Sequence, residues 1–309
     1  MSRSRIWKRL GWGVLGLLVL LGLFLAVGLT AKSIPEDAPP FFDLEAVRAL
    51  ARSGEGPLPK ELRAQRVASG ELPARVLAVA GGGFGPVTFE FFTYQLVWED
   101  GRTAVLDAVA DEKTFAENLP VKEFDAAAWA RMQEAMRKAD VVAVTHEHFD
   151  HASGIAHSPY LAELAPHVAL TEAQLVGHHA ERAGFTPEVC AHFTPLRYQG
   201  LHRLRPGVVL IAAPGHTPGS QLVYVQLAGG QEFLLVGDVA WQRENIEQPV
   251  MHPRLANWLG QEDADAMARE LRELHTLLRT APQVHQVVAH DGGQMADLMR
   301  RGLVQEGLR

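Results

Sequence analysis

Four short apolar runs of this 309-residue chain each end in a side chain able to bind a metal ion. Val141–Thr145 leads into His146-Glu147-His148-Phe149-Asp150-His151, and Val208–Ala213 into Pro214-Gly215-His216. Phe233–Gly237 leads into Asp238, and Val284–Ala289 into His290-Asp291. His146 and His148 are two apart, so on extended backbone their rings project to one side. Asp150 and His151 follow on a turn and can address a second, adjacent point. Five histidines and two carboxylates exceed the four ligands of one tetrahedral ion and suit a pair of ions. Imidazole and carboxylate are donors that zinc accepts and that iron or manganese tolerates. Two divalent ions acting on one water bring hydroxide within reach near neutral pH, so no Ser, Thr or Cys nucleophile is needed. The only cysteine, Cys190, has no motif around it and reads as a packing residue.

Ligands this far apart in the chain need a scaffold that gathers them. The four runs are too short for typical helices and read as strands, as does Gln221–Leu227. Thr88–Trp98 and Thr103–Asp107 flank the turn Glu99-Asp100-Gly101 as a hairpin. Arg75–Ala80 reads as a short strand before the turn Gly81–Pro86. Asp125–Ala139 has helical spacing, with Asp125 as N-cap and Ala128, Met132, Ala135 and Met136 on one face. A long helix is expected at Glu262–Thr280. Strands interleaved with helices give an α/β domain, and the hairpins argue against a purely parallel sheet. In open α/β sheets, ligands collect beyond the carboxyl ends of the strands.

The composition is globular: 47% hydrophobic and 21% charged, with a formal charge of −7. That balance disfavours a nucleic-acid partner, and a single cysteine excludes a disulfide framework. Residues 1–9 carry Arg3, Arg5, Lys8 and Arg9 and read as a cytoplasmic basic segment. Residues 10–31 are apolar and long enough to read as a transmembrane signal-anchor, with a cleaved signal peptide as the alternative. Residues 32–73 read as a linker with short helices at Leu44–Arg52 and Lys60–Ala68, and 74–309 as the catalytic domain. The expectation is a single-pass membrane protein with its catalytic domain on the extracytoplasmic side.

His146 to His151, the loop Pro214-Gly215-His216-Thr217-Pro218-Gly219-Ser220, Gly237-Asp238 and His290 resemble the metallo-β-lactamase superfamily. The resemblance runs from about Arg75 to Leu303. It implies an αββα sandwich, two mixed sheets with helices outside. It also implies that His146, His148 and His216 hold a first metal, and Asp150, His151 and His290 a second. Asp238 would bridge them, and the ions would most commonly be zinc. Asp150 or Asp238 would orient the attacking hydroxide and pass its proton to the leaving group. The family often has a Gly two residues after the aspartate of an early strand, whereas Asp107 is followed by Ala108 and Val109, which leaves a supporting role for Asp107 open. Asp238–Glu247 is similar to the corresponding stretch of N-acyl homoserine lactonases, except that Trp241 stands where those have Tyr. A small-molecule ester, lactone or thioester is the expected substrate. β-Lactamase or phosphodiesterase activity, a mononuclear-iron thiol or persulfide oxygenase, and a non-catalytic metal-binding protein are the alternatives. Trp241, Phe149 and Phe84 of the glycine loop are the expected substrate contacts. His178 and His179 read as solvated residues of a helix near Glu172–Arg182.

Overall fold

The computed structural model describes residues 3–37, 39–119 and 121–309. Its strands are β1 (Glu61–Leu72), β2 (Val87–Val97), β3 (Thr103–Leu106), β4 (Glu123–Phe124), β5 (Val141–Ala143) and β6 (Val168–Ala169), followed by β7 (Leu201–Arg205), β8 (Val208–Ala212), β9 (Gln221–Gln226), β10 (Glu232–Leu235), β11 (Val284–Val287) and β12 (Gln305–Glu306). One sheet runs β12-β1-β2-β3-β5-β6, with β4 paired to β1, and the other runs β11-β10-β9-β8-β7. Both sheets are mixed. β3, β5 and β6 are parallel neighbours, as are β10 and β11, whereas β1–β2, β2–β3 and β7 through β10 pair antiparallel.

The two-residue period of the strands sorts the interior into layers. Val208, Leu210, Val223 and Val225 of the smaller sheet face Leu62, Tyr94, Leu96 and Leu106 of the larger one. The alternate residues Val209, Ile211, Leu222 and Tyr224 face outward, onto Met267, Leu271 and Leu274 of the helix Ala264–Thr280. On the far side of the larger sheet, Val67, Phe91, Val105 and Val142 meet Ala128, Met132, Ala135 and Met136 of the helix Ala126–Lys138. Asp125 caps that helix by accepting the Ala128 N–H at 2.8 Å. Full burial of each large side chain contributes about 1.5–3 kcal/mol. The layers therefore run helix, sheet, sheet, helix.

Lys60–Ala68, expected as a linker helix, lies almost wholly in β1. Its Lys, Glu, Arg and Ala content favours a helix, but Leu62 and Ala64 reach the core between the sheets, and pairing with β2 over the whole strand overrides the preference. The helix Leu44–Arg52 does form, capped by Asp43, and buries Val47 and Ala51 against the smaller sheet. Both segments thus belong to the folded body. Arg75–Leu77 is a turn of 3-10 helix where a strand was expected.

The N-terminal stretch is helical from Arg3 to Gly28. Among the described residues, however, no helix is long and apolar enough to cross a membrane. That finding overturns the transmembrane segment at 10–31, and with it the membrane partner and the single-pass localisation. The side chains of Arg3, Arg5, Trp7, Lys8 and Arg9, and residue Ala38 of the expected linker, lie outside the described residues. The chain leaving the helix is tied to the domain, since the Arg254 N–H donates to the Thr30 carbonyl at 2.8 Å.

Candidate metal centre

Each expected ligand stands where a strand hands the chain on to a helix or loop. His146 follows β5, and His148 is the N-cap of the helix Phe149–Ala156, so Asp150 and His151 lie in its first turn. His216 follows β8, Asp238 sits in a 3-10 turn after β10, and His290 lies between β11 and the helix Gly292–Arg300. The seven side chains come together as two groups that share Asp238: His146, His148 and His216, and Asp150, His151 and His290. In the first, Nδ1 of His148 is 3.1 Å from Nε2 of His146 and 2.9 Å from Nε2 of His216. Oδ2 of Asp238 is 3.4 Å from Nε2 of His216 and 3.7 Å from Nε2 of His146. In the second, Oδ1 of Asp238 is 3.3 Å from Nε2 of His151 and 3.2 Å from Nε2 of His290, while Oδ2 of Asp150 is 3.6 and 3.7 Å from the same two nitrogens. Tetrahedral zinc with Zn–N near 2.0–2.1 Å needs donor atoms about 3.3 Å apart. The observed spacings bracket that value.

The remote nitrogen of every candidate ligand histidine is also held. Nδ1 of His146 meets Thr145 Oγ1 at 3.1 Å, Nδ1 of His151 meets Asp107 Oδ2 at 3.0 Å, and Nδ1 of His290 meets the Glu90 carbonyl at 3.1 Å. Nδ1 of His216 meets Glu262 Oε1 at 2.7 Å, and Nε2 of His148 meets Nδ1 of His179 at 3.0 Å. Such outer partners fix ring orientation and tautomer. Asp107 does more: its Oδ1 accepts the Thr145 N–H at 2.6 Å, which pins the start of the ligand loop. It does so at φ 60, a left-handed conformation that Asp tolerates. Glu262 also accepts from His252 Nδ1 at 3.2 Å and is hydrogen-bonded to Asn257 Nδ2. His252 in turn stacks on Trp241 at 3.8 Å. Donor atoms of His216, His252 and Glu262 form a further triplet, but Nε2 of His216 already faces the first group, so Glu262 acts as the outer partner.

Two close approaches shape the His216 loop. A Cβ on Gly215 would lie 2.5 Å from Glu270 Oε2 and 2.6 Å from the Met267 nitrogen. One on Gly219 would lie 2.5 Å from Glu147 Oε2 and Gln174 Cγ. Both positions require glycine. Glu147, between the first two ligand histidines, accepts from Thr217 Oγ1 at 2.7 Å and the Gly219 N–H at 3.1 Å, joining the two ligand loops.

Burial and the charge of neighbouring imidazoles hold His146 and His148 well below the usual imidazole pKa, in the neutral form that binds metal. Burial works the same way on His151, but Asp150, Asp238 and Asp107 outweigh it and hold that ring well above the usual value. Burial opposes charge on Asp238 too, yet His290, His151 and His146 keep it well below the usual carboxylate range. The His151 environment calls for positive charge. Nε2 of His151 and Oδ1 of Asp238 are buried without any hydrogen-bond partner, which is costly unless a cation completes them. The donor set therefore fits two divalent ions.

Above the ligands lies a cavity of ≈ 390 Å³. His148, Asp150, His216, Asp238 and His290 border it, and Leu72, Phe89, Leu119, Phe149, Trp241 and Leu259 make its wall apolar. Trp241 also donates its indole N–H to Asp238 Oδ2 at 2.9 Å. Phe149 and Trp241 line the cavity as expected, but Phe84 does not: its side chain is 80% exposed on the glycine loop. His179, expected to be solvated, is half-buried beside His148. Burial and its neighbour His178 lower its pKa to about 4. No spacing in the sequence marks His179, Glu262 or His252, whose contacts with the ligand sphere cross 31 to 46 residues of chain or pass through another side chain.

This chain is similar to a set of known enzymes. Over 110 residues, 34% of this chain and 40% of the relative, it is 30% identical to the N-acyl homoserine lactonase AiiA of Bacillus thuringiensis subsp. kurstaki, and 29% identical over the same length to an N-acyl homoserine lactonase of a Bacillus species. The chain thus spans about two fifths of these curated relatives. The crystal structure of a quorum-quenching N-acyl homoserine lactone lactonase superposes with a TM-score of 0.62 at 17% identity, covering 78% of this chain and 95% of that one. That of an N-acyl homoserine lactone hydrolase with N-hexanoyl-L-homoserine at its catalytic metal centre gives 0.61 at 16% identity, covering 78% and 96%. The family model described as the metallo-beta-lactamase superfamily matches residues 95–286, which take in six of the seven ligands and every strand from β3 to β10. With the seventh candidate ligand, His290, brought to the same point by β11, this chain belongs to the metallo-β-lactamase superfamily.

Proposed function

We propose that the chain is a dinuclear zinc hydrolase of esters, lactones or thioesters whose substrate carries an apolar acyl arm. The observation that carries this reading is the meeting of seven candidate ligand side chains, five of which border an apolar cavity. Bound there, two divalent ions supply carbonyl polarisation and a water acidic enough to ionise near neutral pH. A nitrogen and carboxylate donor set at tetrahedral spacing favours zinc. Asp238 commits both oxygens, Oδ1 toward His151 and His290 and Oδ2 toward His146, His216 and the Trp241 N–H. It holds geometry and has no oxygen free for proton transfer. Asp150 borders the cavity and is the carboxylate left to take the proton of the attacking water and return it to the leaving oxygen.

The wall formed by Phe89, Phe149 and Trp241 excludes water from the acyl arm. The naming of the Bacillus relatives as N-acyl homoserine lactonases supports an acyl lactone as the first substrate to try. The zinc-loaded protein is offered acyl lactones of increasing chain length. Each methylene that enters the cavity is worth about 0.8 kcal/mol, so KM should fall about three- to fourfold per methylene until the cavity is full. Faster turnover of a β-lactam or a phosphodiester, with no dependence on acyl length, would sink the reading.

A further inference from the structure

Among the five ligand histidines, His148 differs in what holds its remote nitrogen. The other four rest on oxygen: Thr145 Oγ1, Asp107 Oδ2, Glu262 Oε1 and the Glu90 carbonyl. Nε2 of His148 instead lies 3.0 Å from Nδ1 of His179, with the rings edge to face at 4.5 Å and 73°. Nδ1 of His148 is the atom that faces His146 and His216. With an ion at that point, the single proton of His148 is confined to Nε2 and directed at His179. Nδ1 of His179 must accept it, so the proton of His179 is confined to its own Nε2. An oxygen acceptor would end the chain there, whereas an imidazole passes on a donor at its far side.

His179 is half-buried and borders the cavity, and its Nε2 has no hydrogen-bond partner among the described residues. Of the other donors that border the cavity, His178 and Arg182 are solvent-exposed. The Trp241 N–H is on Asp238, Nδ2 of Asn118 is on the Thr114 carbonyl, and the solvent-exposed Arg182 has its Nε on Asn118 Oδ1. We infer that His179 is a positioning residue for His148 and, through the tautomer His148 imposes, a fixed neutral N–H donor to a carbonyl oxygen of the substrate. The donor half rests on the ester or lactone reading above. The positioning half does not.

The two nitrogens can be tested separately, because an Asn side-chain oxygen overlies imidazole Nδ1 and a Gln side-chain nitrogen overlies Nε2. In the zinc-loaded protein, long-range ¹⁵N correlation spectra should find His179 neutral with its proton on Nε2. His179→Asn should keep zinc affinity, read by chelator competition, within about threefold, and raise KM for a short acyl lactone about 5- to 10-fold. His179→Gln should do the reverse, weakening zinc about 10-fold with little change in KM. His179→Leu should show both losses. A proton on Nδ1 of His179 in the zinc-loaded protein, or wild-type zinc affinity in His179→Leu, overturns the proposal. If the wild type turns over no ester or lactone while the spectra and zinc affinities come out as expected, the functional reading fails and takes the donor half with it, and the positioning half stands.

Discussion

The two halves of the metal centre are made from unlike materials. Around the first point stand three imidazoles and one oxygen of Asp238, backed by a hydroxyl, an imidazole and the Glu262 carboxylate. Around the second stand two imidazoles and oxygens of both Asp150 and Asp238, with a third carboxylate, Asp107, directly behind His151. Negative charge is thus concentrated on the second half, and burial in a low-dielectric interior strengthens its pull on a cation. The first half relies on neutral donors in fixed orientation. A shared carboxylate joins the two, so damage to either half can be told from damage to the joint.

The largest effect is expected at the joint. Asp238→Ala removes a donor from both groups, so bound metal should fall from near two ions to below one, and affinity should drop by more than the about 10- to 100-fold that loss of an outer partner costs. Elemental analysis after gel filtration checks this, and retention of two ions would separate Asp238 from the bridge. Next come the two outer carboxylates. Asp107→Asn reverses the hydrogen bond to His151 while keeping an acceptor for the Thr145 N–H, and should weaken the second ion about 10- to 100-fold with the first retained. Glu262→Gln should do the same to the first ion. Cobalt titration followed by absorption resolves the two steps, and loss of the same step in both variants would erase the distinction drawn above.

A smaller change is expected from Trp241→Phe. It keeps an aromatic wall but removes the N–H on Asp238 Oδ2, a charged hydrogen bond worth about 1.5–3 kcal/mol. Metal affinity should fall about 10-fold, the low end of that range because every candidate ligand remains, with KM for an acyl lactone nearly unchanged. The last change leaves the metal centre aside and concerns stability alone. Glu270 is buried, accepts the Gly215 N–H at 3.0 Å, and has its pKa pushed up by burial to about 7. The folded state therefore favours the protonated form: no cost is felt below the ordinary value of 4.5, and the cost grows as pH rises to 7. Glu270→Gln should match the wild type near pH 4.5 and exceed it by up to about 3 kcal/mol above pH 7, measured by denaturant unfolding. A constant difference across that range would remove the buried ionisation.

The meeting of the seven candidate ligands was legible because each follows an apolar run that can only be a strand, and because four of them occupy six consecutive positions. The hairpin β2–β3 and the Asp125-capped helix were legible for similarly local reasons. What was hidden is what depends on distant partners. β1 carries helix-favouring residues and becomes a strand because β2 offers it eleven pairings. His179 sits in a five-residue helix, His178–Arg182, with no periodic signal, and gains its meaning only from His148 across the cavity floor. Glu262 precedes a helix whose cap is Asp263, so its sequence context describes a helix start and not a tie to His216. The N-terminal helix formed, but among the described residues no helix is long and apolar enough to cross a membrane.

Glu147 links the loop after β5 to the loop after β8, and those loops leave different sheets. The same division runs through the ligands: His146, His148, Asp150 and His151 come from the larger sheet, and His216, Asp238 and His290 from the smaller. Each ion would therefore be gripped from both sides, as a rivet through two plates. An ion present at a thousand times its dissociation constant stabilises the folded state by about 4.1 kcal/mol. Metal supply would then govern how firmly the two sheets stay docked, and a chelator would act on this protein as a mechanical agent before it acted as an inhibitor.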